Sequence, residues 1–280
     1  MLDILLHLVP PIAACLLYAA LGYHFWHTRW HSADTKPPHL LPMQPWERGM
    51  ILLALVVQAI DLYNGLFGSG DMRFSFSYAL SLMLWLAVLI YWLESFHSRM
   101  DGLQPMVLPV AALCAVLPVV FPQMHVVAHA DALGFKLHFL AAMLSYSLFT
   151  LSALHAVFMG FVERRLHHRQ ISTQLSSLPP ILAMETLLFR MIVVAFCLLT
   201  VALASGLLFS EAIFGKALPF DHKTFFAFLA WGIFAALLVG RRIYGWRGRI
   251  ALRWTLTGFL LLLLAYIGSR FVSEVVLGRI

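Results

Sequence analysis

Apolar runs of roughly 20 residues, each long enough as a helix to cross about 30 Å of hydrocarbon, recur from one end of this chain to the other. No aqueous core could absorb them all. Of 280 residues, 61% are hydrophobic and 11% charged, against roughly 45–50% and about 25% in a soluble domain. With lipid as the solvent, every backbone amide has to be paired inside the protein, which leaves helices and closed barrels. The runs are continuous and do not alternate, so the expectation is an all-α integral membrane protein, one polytopic domain over residues 1–280.

Hydropathy places eight spans at about 5–25, 48–67, 74–93, 105–122, 134–162, 188–211, 224–240 and 250–272. The longest connector, 163–187, opens with Glu163-Arg164-Arg165 and carries Pro179-Pro180, and it reads as a surface loop. Pro105, Pro109, Pro118 and Pro122 in or beside the fourth span predict a kinked helix whose freed carbonyls need neighbours. Lysines and arginines fall unevenly on alternate sides of this scheme. One side holds Arg29, Lys36, Arg48, Arg99, Arg164, Arg165, Arg169, Arg190 and the group from Arg241 to Arg253; the other holds Arg73, Lys136, Lys216, Lys223, Arg270 and Arg279. The positive-inside rule makes the first side cytoplasmic and puts both termini outside, as in a multi-pass protein of a bacterial inner membrane. The formal net charge of +6 is spread over short loops and forms no stripe, so it marks topology and does not point to nucleic acid.

The three cysteines, Cys15, Cys114 and Cys197, are isolated in apolar runs with no CxxC, which argues against thioredoxin-like redox chemistry and a zinc site. No lysine or arginine precedes Arg29, so the N-terminus lacks the positive region of a cleaved signal and is expected to be a retained first helix. No nucleophile and base pair, phosphate loop or dinucleotide fingerprint suggests an autonomous enzyme.

Polar side chains inside spans are costly and normally face the bundle interior. Gln58, Asp61 and Asn64 recur every three residues and share a face of the second helix. That face is either a lining for a cofactor or ion path or a set of interhelical hydrogen bonds. On the fifth helix His138, Ser145 and Ser152 recur every seven residues as a small polar seam for close helix packing. His138 lies near the outer end of that span, where an imidazole is either a ligand or an interfacial hydrogen-bonding group. His155 is near the other end and turned away from it. His125, His129 and His222 crowd the same outer side, without the spacing of HExxH. Arg270, one turn before Glu274, is either an ion-pair partner or a forked anion clamp. Gly240-Arg241-Arg242 through Arg249 reads as a cytoplasmic anchor with an interfacial tryptophan.

Three segments together carry a resemblance: Ala230-Trp231, Gly245-Trp246-Arg247-Gly248-Arg249 and Ala265-Tyr266-Ile267-Gly268-Ser269-Arg270. With His138 followed by Met143-Leu144-Ser145-Tyr146, and Ala79-Leu80-Ser81-Leu82, they resemble the cytochrome c assembly protein family in its YpjD-type inner membrane branch, related to the haem-handling CcsA and CcmC proteins. The resemblance covers about the second to eighth helices. It implies haem bound at the outer face and passed to apocytochrome c with other maturation proteins. It implies His138 as iron ligand, with Asp221, His222, Trp231 and Arg270 around the cofactor and Arg270 pairing a propionate. The sequence also departs from the family. Asp221-His222-Lys223-Thr224 stands where the family has Asp-Pro-Lys-Glu, no tryptophan occurs in 211–220, and Gln58 and Val239 occupy positions of intramembrane histidines. Haem handling is therefore one expected function. The other is a transporter or transport accessory that keeps the fold and uses the Gln58, Asp61 and Asn64 face.

Overall fold

The computed structural model describes residues 2–31, 43–68, 72–96, 102–122, 125–127, 130, 132–167, 181–214, 222–268 and 271. Eight α-helices follow one another among these residues: α1 (Leu2–Phe25), α2 (Pro45–Phe67), α3 (Phe76–Glu94), α4 (Gln104–Val120), α5 (Leu133–His167), α6 (Ile181–Phe214), α7 (His222–Tyr244) and α8 (Arg249–Leu263). A π-helical turn, Trp26–His31, continues α1, and another, Leu264–Gly268, continues α8. Seven helices are long and apolar enough to cross a membrane. The other, α4, has 17 residues, about 25 Å of helix, and contains Pro109 and Pro118. The chain is an all-α membrane bundle.

Its apolar residues are sorted as lipid requires. Tyr18, Ile51, Leu84, Leu108, Phe149, Leu188 and Phe234 are fully enclosed, while Leu16, Val56, Leu113, Val201 and Leu260 are at least half exposed. An exposed leucine in the middle of a span has no cost when hydrocarbon surrounds it. The helices alternate in direction, as contacts at the two ends show. At one end β1 (Arg73–Phe74), between α2 and α3, pairs antiparallel with β2 (His125–Val126), between α4 and α5. At the other end the Glu47 carboxylate at the start of α2 accepts from Arg29 (3.2 Å) and the Gln44 N–H (2.7 Å), and His24 of α1 lies 3.1 Å away. Arg48 there donates to the Ser95 carbonyl just past α3 (3.2 Å).

Two boundaries differ from the hydropathy expectation. The connector expected over 163–187 is partly helix, because α5 continues to His167 and α6 begins at Ile181. These turns are too polar for a hydropathy window, yet polar packing holds them: Glu185, nearly buried, lies 3.7 Å from both Arg241 and Arg247, and Glu163 accepts from Arg249 at 2.8 Å. The last expected helix, 250–272, changes to a π turn at Leu264.

The polar seam of α5 faces α6. Ser145 is buried and donates to the Ala195 carbonyl at 2.9 Å, and His138 meets Ser205 two turns further out. Ser152 is also buried but bonds within its own helix, to the Leu148 carbonyl.

The basic segment after α7 does more than anchor. Gly245 adopts φ +67°, its N–H donates to the Arg241 carbonyl (3.2 Å), and the Trp246 N–H donates to the Gly240 carbonyl (3.3 Å), so the helix closes with a left-handed cap. This turn folds the Trp246 ring onto Gly240, where a Cβ would run into the indole, and against Trp254 of α8 at 5.1 Å between ring centroids. Arg241 covers the Phe189 ring at 3.6 Å. The segment clamps the α7–α8 hairpin to the first turns of α6.

Candidate functional site

At the end of the bundle that carries the β1–β2 pair, four elements diverge around a cavity of about 410 Å³. The face His138, Phe139, Ala142, Met143 and Tyr146 of α5 forms one wall, and Leu199, Ala202, Leu203, Gly206 and Leu207 of α6 form a second. These spacings of one, three and four are one side of each helix. The first turns of α7 add Lys223, Thr224, Ala227 and Phe228. The π turn after α8 supplies Ala265 and Tyr266, where an ordinary helical turn would have aimed its side chains differently. Aromatic rings make much of the lining. Phe135 stacks on Phe139 at 5.9 Å, and Tyr146 and Tyr266 lie 6.0 Å apart.

His138 is the imidazole among the described lining residues, and its neighbours fix its chemistry. The Ser205 hydroxyl donates to the Ala202 carbonyl (3.0 Å), so its oxygen is left to accept from His138 Nδ1–H at 2.9 Å. That assigns the tautomer from the network and leaves an unprotonated lone pair on Nε2. Gly206 makes room for the ring, since a Cβ there would lie 3.2 Å from Cε1. A histidine held through Nδ1 by a second residue, with Nε2 available beside an apolar cavity, is the arrangement that presents an imidazole to a metal.

Other residues expected at the site are placed as follows. Trp231 stands about one turn deeper on α7, outside the cavity lining; its Nε1–H donates to Thr200 Oγ1 (3.0 Å) and its ring stacks on Phe196. His222 is the first residue of α7, next to the lining residue Lys223, and its side chain lies outside the described residues. Asp221, Arg270 and His129 also lie outside the described residues. His125 sits in β2, two residues before the lining residue Val127. His155 is about 25 Å along α5 from His138 and donates Nε2–H to the Met184 carbonyl at 2.9 Å. Ser205, Gly206 and the part played by Tyr266 were not singled out from the sequence. A serine and a glycine in an apolar run carry no ligand signal until α6 is laid against α5.

Against known families, residues 43–277 match the model of the cytochrome C assembly protein. The chain is similar to the inner membrane protein YpjD of Escherichia coli, 26% identical over 237 residues that cover 82% of this chain and 89% of that protein. An uncharacterized 28.8 kDa protein of Azospirillum brasilense is 29% identical over 207 residues, 71% of this chain and 76% of its own. A 90-residue stretch is 37% identical to the cytochrome c biogenesis protein CcsA of Prochlorococcus marinus, covering 32% of this chain and 29% of that one. No solved structure matches.

Proposed function

The chain belongs to the cytochrome c assembly protein family, and from that premise we propose that it handles haem in the His138 cavity, at the periplasmic face of the bacterial inner membrane, during cytochrome c maturation. The observation that carries this reading is the Ser205–His138 pair beside an aromatic cavity. The donor set suits the group: a neutral imidazole nitrogen for iron, apolar walls for the macrocycle, and the ammonium of Lys223 in the lining for a propionate. Arg270 is proposed as a second propionate partner on the sequence resemblance. Bound haem would supply the iron centre that is later transferred to an apocytochrome.

The residues of this chain do the holding. Ser205 keeps the His138 ring in one tautomer and one orientation, so Nε2 does not have to shed a proton before it binds. Phe139, Tyr146, Phe228 and Tyr266 supply apolar surface around that ring.

Titrating the purified protein with hemin in detergent tests the reading. A sharpened, shifted Soret band of ligated hemin that saturates at equimolar hemin is expected, and a spectrum that stays that of free hemin in detergent would overturn the reading. Ser205→Ala is expected to weaken hemin binding by about 10–100-fold while leaving the band in place at high hemin, as for other residues that orient a metal ligand. An unchanged affinity would remove Ser205 from the site.

A further inference from the structure

Gln58 and Asp61 lie three residues apart on α2, on one helix face, and both are buried: Gln58 is 0% and Asp61 5% exposed. Gln58 Nε2 donates to the Ser81 carbonyl (3.3 Å) and Ser81 Oγ (3.0 Å) of α3. A carbonyl can only accept, so the amide cannot be turned round, and Gln58 Oε1 is left as an acceptor. That oxygen has no hydrogen-bond partner, and neither has Asp61 Oδ2. Two buried acceptors with no donor, one of them a carboxylate inside a membrane span, is a strongly unfavourable arrangement if Asp61 is ionised. Among the described residues no lysine, arginine or histidine forms an ion pair with it.

We propose that Asp61 is a membrane-embedded proton-binding site, held as the neutral acid with Gln58 Oε1 accepting its O–H. One proton then supplies the donor that this pair of oxygens lacks, and no charge is left in the span. The titratable group that α3 brings to this face is Tyr78, whose hydroxyl lies over Gly65, one turn along α2 from Asp61. Of the α1 groups that meet α2, His24 and Arg29 are taken up by Glu47, about 20 Å away along the helix, and Tyr18 keeps a buried hydroxyl without a hydrogen-bond partner in the α1–α2 core; Arg73 of β1, which also packs on α2, is exposed. Tyr78 shares an apolar cluster with Met143 and Tyr266, two residues of the His138 cavity lining, so the proton site stands on the flank of that cavity. Its assignment rests on α2 and α3 and does not require haem to bind.

Infrared difference spectra of the full chain in lipid nanodiscs test this, taken as wild type minus Asp61→Asn at neutral pH. The expected result is a protonated-carboxyl C=O band in the wild type that moves down in D2O and is lost in Asp61→Asn. Gln58→Leu, which keeps the carboxyl and removes the acceptor, is expected to shift that band. It gives the same information if Asp61→Asn fails to fold. A carboxylate doublet in place of the C=O band overturns the proposal. So does a band that disappears on adding sodium and returns on its removal, which would assign a metal cation to the two oxygens.

Discussion

His138→Ala is expected to abolish the Soret band that hemin raises in the wild-type protein, with a larger loss of affinity than the roughly 10–100-fold expected for Ser205→Ala. The cavity has apolar walls enough to retain some porphyrin without iron ligation, so binding as a whole is not expected to vanish. The measurement is therefore spectral: the ligated band disappears while a weak, broad absorption of unligated hemin remains. The change removes a half-buried side chain at the cavity wall whose polar contacts are to Ser205 and the Ala202 backbone, so the bundle is expected to keep its helical circular dichroism. Added imidazole is expected to restore the band by entering the space left behind. A band that survives His138→Ala unaltered would move the ligand elsewhere, with His222 and His125 the next residues to replace.

Gly240→Ala is expected to destabilise the bundle by about 1–3 kcal/mol, the usual penalty for overfilling a packed contact. The added Cβ would collide with the Trp246 ring, which has Trp254 behind it at 5.1 Å and Tyr244 beside it at 6.2 Å. The indole has nowhere to retreat without undoing the turn that Gly245 closes at φ +67°. Thermal unfolding in detergent, followed by tryptophan fluorescence, should show a lower midpoint. Adding Trp246→Leu is expected to recover part of the loss, since the two substitutions share one contact and do not act independently. Equal midpoints for wild type and Gly240→Ala would mean that the segment is only the interfacial anchor its composition suggests.

The seam of α5 shows how far helical spacing carries. Residues seven apart share a face, and two of the three, His138 and Ser145, do reach α6. Ser152 has the same register and bonds to its own helix, a choice that depends on how far the axes have separated at that level. The Gly-Trp-Arg-Gly-Arg element is a similar case. Its charges were legible as an anchor, but its Trp246 ring seats on Gly240, six residues back, and Arg247, with Arg241, faces the Glu185 carboxylate of α6. Hydropathy also stopped short at 163 and 188 because it averages polarity, and the turns beyond are held by Glu163–Arg249 and Glu185–Arg241 pairs that no local window contains.

What the sequence determined by itself is the solvent and, from it, the architecture. Unpaired amides are too costly in hydrocarbon, so recurring apolar runs of this length have to be helices, and their number and faces follow from hydropathy and the 3.6-residue period. Family membership was equally legible, since it rests on short motifs in order along the chain. Only the tertiary structure decided what surrounds His138. Along the chain it is one histidine near a helix end, as suited to the interface as to a ligand. Packing α6 against α5 gives its Nδ1 to Ser205, and α7 with the π turn after α8 encloses the space on its other side. The ring's serine partner lies 67 positions away along the chain, and no local pattern records that distance.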